Sequence, residues 1–99
     1  MKINLIIGAG LLGSRHLQGL LRLENEQLIY VVDPTESSLA VAEERAKEIE
    51  NNHNVIYLTN WETLPNEFDL VIVATGANVR AKVVTQLLNN YKVKNLVLE

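Results

Sequence analysis

Ile6-Ile7-Gly8-Ala9-Gly10-Leu11-Leu12-Gly13-Ser14-Arg15-His16 packs three of the chain's five glycines into six residues, directly after an apolar run. Glycine loses more backbone freedom on ordering than any other residue, so it is kept where a chain must turn sharply or be approached closely. The spacing here is G-x-G-x-x-G. The run before it reads as a strand. After it, Leu12, His16, Gly19, Leu20 and Leu23 fall at i, i+4, i+7, i+8 and i+11, one face of a helix. The glycines therefore stand at a strand-to-helix junction.

The same alternation repeats along the chain. Ile3–Ile7, Leu28–Val32, Val55–Leu58, Leu70–Ala74 and Leu96–Leu98 are short runs rich in Val, Ile and Leu. They are continuous rather than alternating, the pattern of strands covered on both faces. Helical spacing recurs in Leu39, Ala42, Ala46 and Ile49, and again in Ala81, Val84, Leu88 and Tyr91, the latter with Asn78 as its expected N-cap. Between Thr59 and Asp69, Pro65 and two asparagines leave room for one helical turn around Trp61–Leu64. The order is β-α-β-α-β-short-β-α-β, and right-handed crossovers then predict an α/β, three-layer Rossmann-like fold. Its five-stranded parallel sheet has the order 3-2-1-4-5, with helices on both faces and a switch point between the first and fourth strands. Residues 1–99 read as one domain.

Composition removes several function classes. The net charge of −3, with no block of Lys or Arg, argues against nucleic acid as a partner. Without cysteine there is no disulfide, iron–sulfur or thiolate zinc site. His16 and His53 are far apart in sequence, so no metal site is expected. No apolar run exceeds about five residues, far short of the ~20 a membrane span needs. Met1-Lys2-Ile3 leads directly into the first strand without a signal peptide, which predicts a cytoplasmic protein.

At a strand-to-helix junction each glycine of the motif has its own physical purpose. Gly8 permits the tight turn, Gly10 lets a diphosphate approach the backbone, and Gly13 lets the helix pack closely on the sheet. Amides from Gly10 through Leu11 and Leu12 to Gly13 are first-turn donors, and the helix dipole adds positive potential there. Asp33 ends the second strand, 20 residues after Gly13, the spacing at which an acid reaches an adenosine ribose. The alternative makes Asp33 an N-cap, with Pro34 at the first helical position and Glu36 closing a capping box. The ribose reading is preferred because the strand ends of a Rossmann half converge there. A carboxylate repels a 2′-phosphate, and no Arg or Lys occurs in Pro34–Leu39. NAD is thus expected as the cofactor over NADP. A G-x-G-x-G methyltransferase motif would need glycine where Leu12 stands.

A second candidate stretch ends the fourth strand, where Ala74, Thr75 and Gly76 would let a ribose pass close to the backbone and Asn78 opens the following helix. Together the two stretches resemble the N-terminal domain of the glucose–fructose oxidoreductase/inositol dehydrogenase (Gfo/Idh/MocA) family. The resemblance rests on Gly8-Ala9-Gly10-Leu11-Leu12-Gly13-Ser14-Arg15-His16, Asp33, Ala74-Thr75 and the fifth strand ending at Glu99. It implies a nicotinamide-dependent oxidoreductase acting on a sugar, polyol or related hydroxylated substrate, with Glu99 near the nicotinamide ribose. The family's Pro-Asn after the fourth strand is Gly76-Ala77 here, and a histidine frequent farther on is Arg80. The family lysine near the reacting carbon and the substrate-holding C-terminal domain would lie beyond Glu99. The chain thus reads as the nucleotide-binding piece of a longer protein, binding substrate only with that domain, with no catalytic residue of its own and inactive alone. His16, on a face with Leu12 and Leu20, is expected as a packed core histidine. The competing reading is a non-catalytic, nucleotide-sensing regulatory module that changes a partner's conformation. An uncovered fifth strand also predicts a homo-oligomer.

Overall fold

A computed structural model describes all 99 residues. The elements are β1 (Lys2–Ile7), α1 (Leu11–Leu21), β2 (Gln27–Val32), α2 (Glu36–Ala46), β3 (Asn54–Leu58), β4 (Glu67–Val73), α3 (Ala77–Asn90) and β5 (Lys92–Leu98). All five strands are parallel, in the order β3-β2-β1-β4-β5. This is the three-layer Rossmann-like architecture expected from the continuous apolar runs.

Two apolar cores sandwich the sheet. On one side, Leu17, Leu20 and Leu21 of α1 and Leu39, Ala42 and Ala46 of α2 pack on Ile6, Ile29, Val31 and Ile72. On the other, Leu87 of α3 and Leu64 of the β3–β4 connection pack on Leu5, Ile7, Val32, Phe68, Val71 and Val73. Each buried Leu or Ile of this kind contributes about 1.5–3 kcal/mol. Strand residues alternate between the two cores, so neither face of the central strands meets water. That is why these strands lack a polar period.

The helix faces differ from the predicted ones. In α1 the buried set is Gly13, Ser14, Leu17, Leu20 and Leu21, while Leu12 and Leu23 are exposed. The face is rotated by about one residue because the close approach of Gly13 to the sheet, rather than apolar spacing, orients the helix. His16 is accordingly half-buried at the edge of the packing and not in the core. In α3, Leu87 is buried with Val83 and Val84 half-buried, whereas Ala81 and Leu88 face solvent. In α2 the expected Leu39, Ala42 and Ala46 are buried.

The expected cap Asn78 does not cap its helix, and the capping alternative for Asp33 also falls away. Helix α3 begins two residues earlier than predicted, with Gly76 as N-cap, so Asn78 lies inside the first turn and makes no cap hydrogen bond. Helix α2 starts at Glu36 with Thr35 as N-cap, leaving Asp33 outside the helix. Between β3 and β4 there is a single hydrogen-bonded turn, Leu64 N–H to the Trp61 carbonyl (3.2 Å), not a turn of helix. Trp61 packs edge-on and Phe68 at a tilt against Tyr91 to close that side.

Two polar fixtures hold the end of the sheet opposite the glycine loop. Buried Asn4 donates through Nδ2 to buried Gln27 Oε1 across β1 and β2. His53 accepts the Gln27 N–H at Nδ1 (2.9 Å) and meets the Leu23 carbonyl with Nε2 (2.9 Å). The ring therefore carries its proton on Nε2 and ties the α1–β2 turn to the entry of β3.

Candidate dinucleotide-binding site

Strand register assembles the site. Ile7 pairs with Val32 and with Val73, Val32 with Leu58, and Val73 with Leu98, so the strands end in one row. The ladder continues one residue further. Gly8 N–H donates to the Val32 carbonyl (2.8 Å), Ala74 N–H to Ile7 (2.8 Å), Asp33 N–H to Leu58 (3.1 Å) and Glu99 N–H to Val73 (3.0 Å). Asp33, Gly8, Ala74 and Glu99 consequently stand side by side along the carboxyl edge, about 14 Å from first to last at three strand spacings. Residues spread from position 8 to position 99 of the sequence become one line.

The glycine loop fills the middle of that line. Gly8 has φ of +103°, a conformation L side chains avoid, and a Cβ there would lie 2.7 Å from the Ala74 carbonyl oxygen. Gly13 has no room either: a Cβ would fall 1.8 Å from the Gly8 carbonyl oxygen. Its bare Cα lets the first turn of α1 press onto the end of β1.

Gly10 is different. As N-cap of α1 it has φ −69° and ψ −163°, which any residue can adopt, and its missing Cβ points into space holding no atom within 4 Å. Nothing inside the folded chain requires glycine there. The amides of Gly10, Leu11, Leu12 and Gly13 meet no acceptor in the chain, the first intrahelical bond being Ser14 N–H to the Gly10 carbonyl (2.9 Å). Leu11 and Leu12 turn their side chains to solvent. Open space, unpaired donors and the positive helix end together fit a diphosphate.

Asp33 sits beside this cradle, half-buried. One carboxylate oxygen accepts the Ala9 N–H (2.8 Å) and the other the Thr35 N–H (2.8 Å). An ionised carboxylate offers about four lone-pair sites, so acceptor capacity remains for two hydroxyls. Arg45 of α2 lines a groove with Ala9, Gly10, Leu11, Ser37 and Ser38. Its guanidinium is turned onto Ser14 Oγ (2.6 Å).

At the other end, Ala74 and Thr75 follow β4, and the Asn78 Oδ1 lies 2.9 Å from where a Gly76 Cβ would be, so a side chain there would have to displace the exposed Asn78 amide. Thr75 Oγ1 is sequestered from solvent with no partner. Glu99 receives His16 Nε2 on its carboxylate (2.9 Å) and an Arg80 Nη2 donor on its main-chain oxygen. Sequence reading missed this convergence because it joins positions 19 and 83 residues apart through the third dimension. The only signal was that all three residues are polar and adjoin the carboxyl ends of strands.

Similarity to solved structures agrees with this architecture. The chain superposes on malate dehydrogenase from Salinibacter ruber with a TM-score of 0.74 and 14% identity, covering 98% of this chain and 36% of that one. It also superposes on a protein described as an NADP oxidoreductase from Bacteroides fragilis, with a TM-score of 0.70 and 22% identity, covering 98% and 35%. The chain thus spans about a third of the length of each. No curated protein matches it in sequence. No helix is long and apolar enough to cross a membrane. Residues 3–99 match the model of the oxidoreductase family with the NAD-binding Rossmann fold, and the chain belongs to that family, Gfo/Idh/MocA.

Proposed function

We propose that residues 1–99 form the dinucleotide-binding domain of a longer oxidoreductase acting on a sugar, polyol or related hydroxylated substrate, with NAD favoured over NADP. The observation that carries this reading is the empty approach over Gly10, faced by four amides without acceptors. Family membership and the coverage of about a third of each structural neighbour support a further, substrate-holding domain.

In this reading the amides of Gly10, Leu11, Leu12 and Gly13 hold the diphosphate at the α1 terminus. Asp33 accepts hydrogen bonds from the adenosine ribose hydroxyls, and its charge repels a 2′-phosphate. With the adenosine half at β2, the other half of the dinucleotide runs past Ala74, Thr75 and Gly76 toward Glu99 at the end of β5. Asn78 is exposed in the first turn of α3 and borders the same crevice. When bound, a nicotinamide dinucleotide supplies hydride chemistry; this chain's contribution is to hold it in register with the strand ends. It provides no catalytic acid or base.

The test is calorimetric titration of wild type and Asp33→Ala with NAD and NADP. Asp33 also fastens the Ala9 amide, so both affinities should fall in the variant; the ratio isolates ribose recognition. Wild type should prefer NAD, and the variant should lose that preference. An unchanged ratio would remove Asp33 from the ribose site, and absence of binding to either dinucleotide would refute the reading.

A further inference from the structure

We propose that His16 is a positioning residue: from the second turn of α1 it fixes the Glu99 carboxylate for the nicotinamide-side half of the dinucleotide. This rests on the dinucleotide reading above. No motif logic assigns His16 a task, and the apolar spacing of α1 would have buried it.

The geometry gives it one. Glu99 follows an edge strand and is exposed, a place where an unrestrained glutamate would spread its carboxylate over many rotamers. Three contacts prevent that. Its amide continues the ladder to the Val73 carbonyl (3.0 Å). Its main-chain oxygen accepts from Arg80 Nη2, reaching across from α3 on one side of the sheet. Its side chain meets His16 Nε2 (2.9 Å), reaching from α1 on the other side. The main chain is set by β4 and Arg80, and the carboxylate by His16.

The consequence lies in which helix carries the histidine. The first turn of α1 presents the amides proposed for the diphosphate, and the next turn presents His16. One rigid helix therefore sets both the diphosphate and the carboxylate at the far end of the crevice, and their separation is as stiff as the helix itself. A His16 that merely packed α1 onto the sheet would have no such directional effect.

ADP and NAD separate the two roles, since ADP reaches Asp33 and the glycine amides but lacks the second ribose. Calorimetric titration of His16→Ala should show NAD binding weakened about 5- to 10-fold and ADP binding changed less than about 2-fold. Glu99→Ala should reproduce that pattern. The double variant His16→Ala/Glu99→Ala should bind NAD no more weakly than Glu99→Ala alone, because the two residues act through one contact. His16→Gln, which keeps an N–H donor, should recover part of the loss. Equal weakening of ADP and NAD, or losses that multiply in the double variant, would overturn the positioning role while leaving the dinucleotide reading intact. A wild-type chain that binds neither ligand would end both.

Discussion

Replacing Gly10 by alanine separates what the fold needs from what a ligand needs. At this position φ and ψ suit alanine, and the new methyl would meet nothing within 4 Å. Alanine reduces the freedom of the unfolded chain, stabilising by about 0.4–1 kcal/mol, and is a poorer N-cap than glycine by about 0.5–1 kcal/mol. The two effects nearly cancel, so the urea midpoint should move little. A diphosphate seated over Gly10 would meet the methyl directly. Forcing a methyl into a filled contact costs about 1–3 kcal/mol, which corresponds to about 5- to 150-fold weaker NAD binding. Gly13→Ala is the opposite control: its methyl would lie 1.8 Å from the Gly8 carbonyl oxygen, so α1 must lift from the sheet and the fold itself should weaken. Urea unfolding and calorimetry on the two variants read out both quantities. A Gly10→Ala chain that folds normally and binds NAD with wild-type affinity would refute the placement of the diphosphate.

Burial, and then the charge of Glu43, push the Tyr57 phenol up to about 12. The folded state holds that proton more tightly than the unfolded one, so stability is complete below about pH 10 and declines as pH rises toward 12. Tyr57→Phe should flatten that alkaline decline, measured by urea unfolding at several pH values; an unchanged slope would contradict the role of the half-buried phenol. His53→Ala strands the buried Gln27 amide and should cost about 1–3 kcal/mol, read as a lower urea midpoint at unchanged m. Strand β5 pairs only with β4 and leaves its outer edge open, with Leu98 half exposed. Sedimentation of this chain should show concentration-dependent association through that edge, and strictly monomeric behaviour at high concentration would count against it.

Strand order, the alternation of elements and the glycine motif were legible in the sequence because each depends on local pattern. Continuous Val/Ile/Leu runs announce strands covered on both faces, and the central strands β1, β2 and β4 are so covered, while the edge strands β3 and β5 bury no residue fully. The orientation of α1 was not legible: apolar spacing nominated Leu12 and Leu23, but the glycine-mediated approach at Gly13 turned the helix and exposed both. Asn78 was read as a cap, and Asp33 with Pro34 and Glu36 as the less favoured cap alternative, whereas the chain enters α3 and α2 at Gly76 and Thr35. Capping propensity is worth about 1 kcal/mol, too little to move a boundary that strand register has already placed. Contacts such as His16 to Glu99 and Arg45 to Ser14 join different elements and leave no trace in spacing.

Ala74 has a quiet consequence for how this loop would meet a ligand. Its carbonyl abuts Gly8 and its methyl lies 3.7 Å from the position of a Gly13 Cβ, so β1, β4 and α1 interlock at a single point. A loop wedged on three sides has little room to reshape itself. Recognition should then resemble a key entering a rigid lock: the loop backbone should superpose with and without nucleotide, leaving adaptation to the side chains at either end of the crevice.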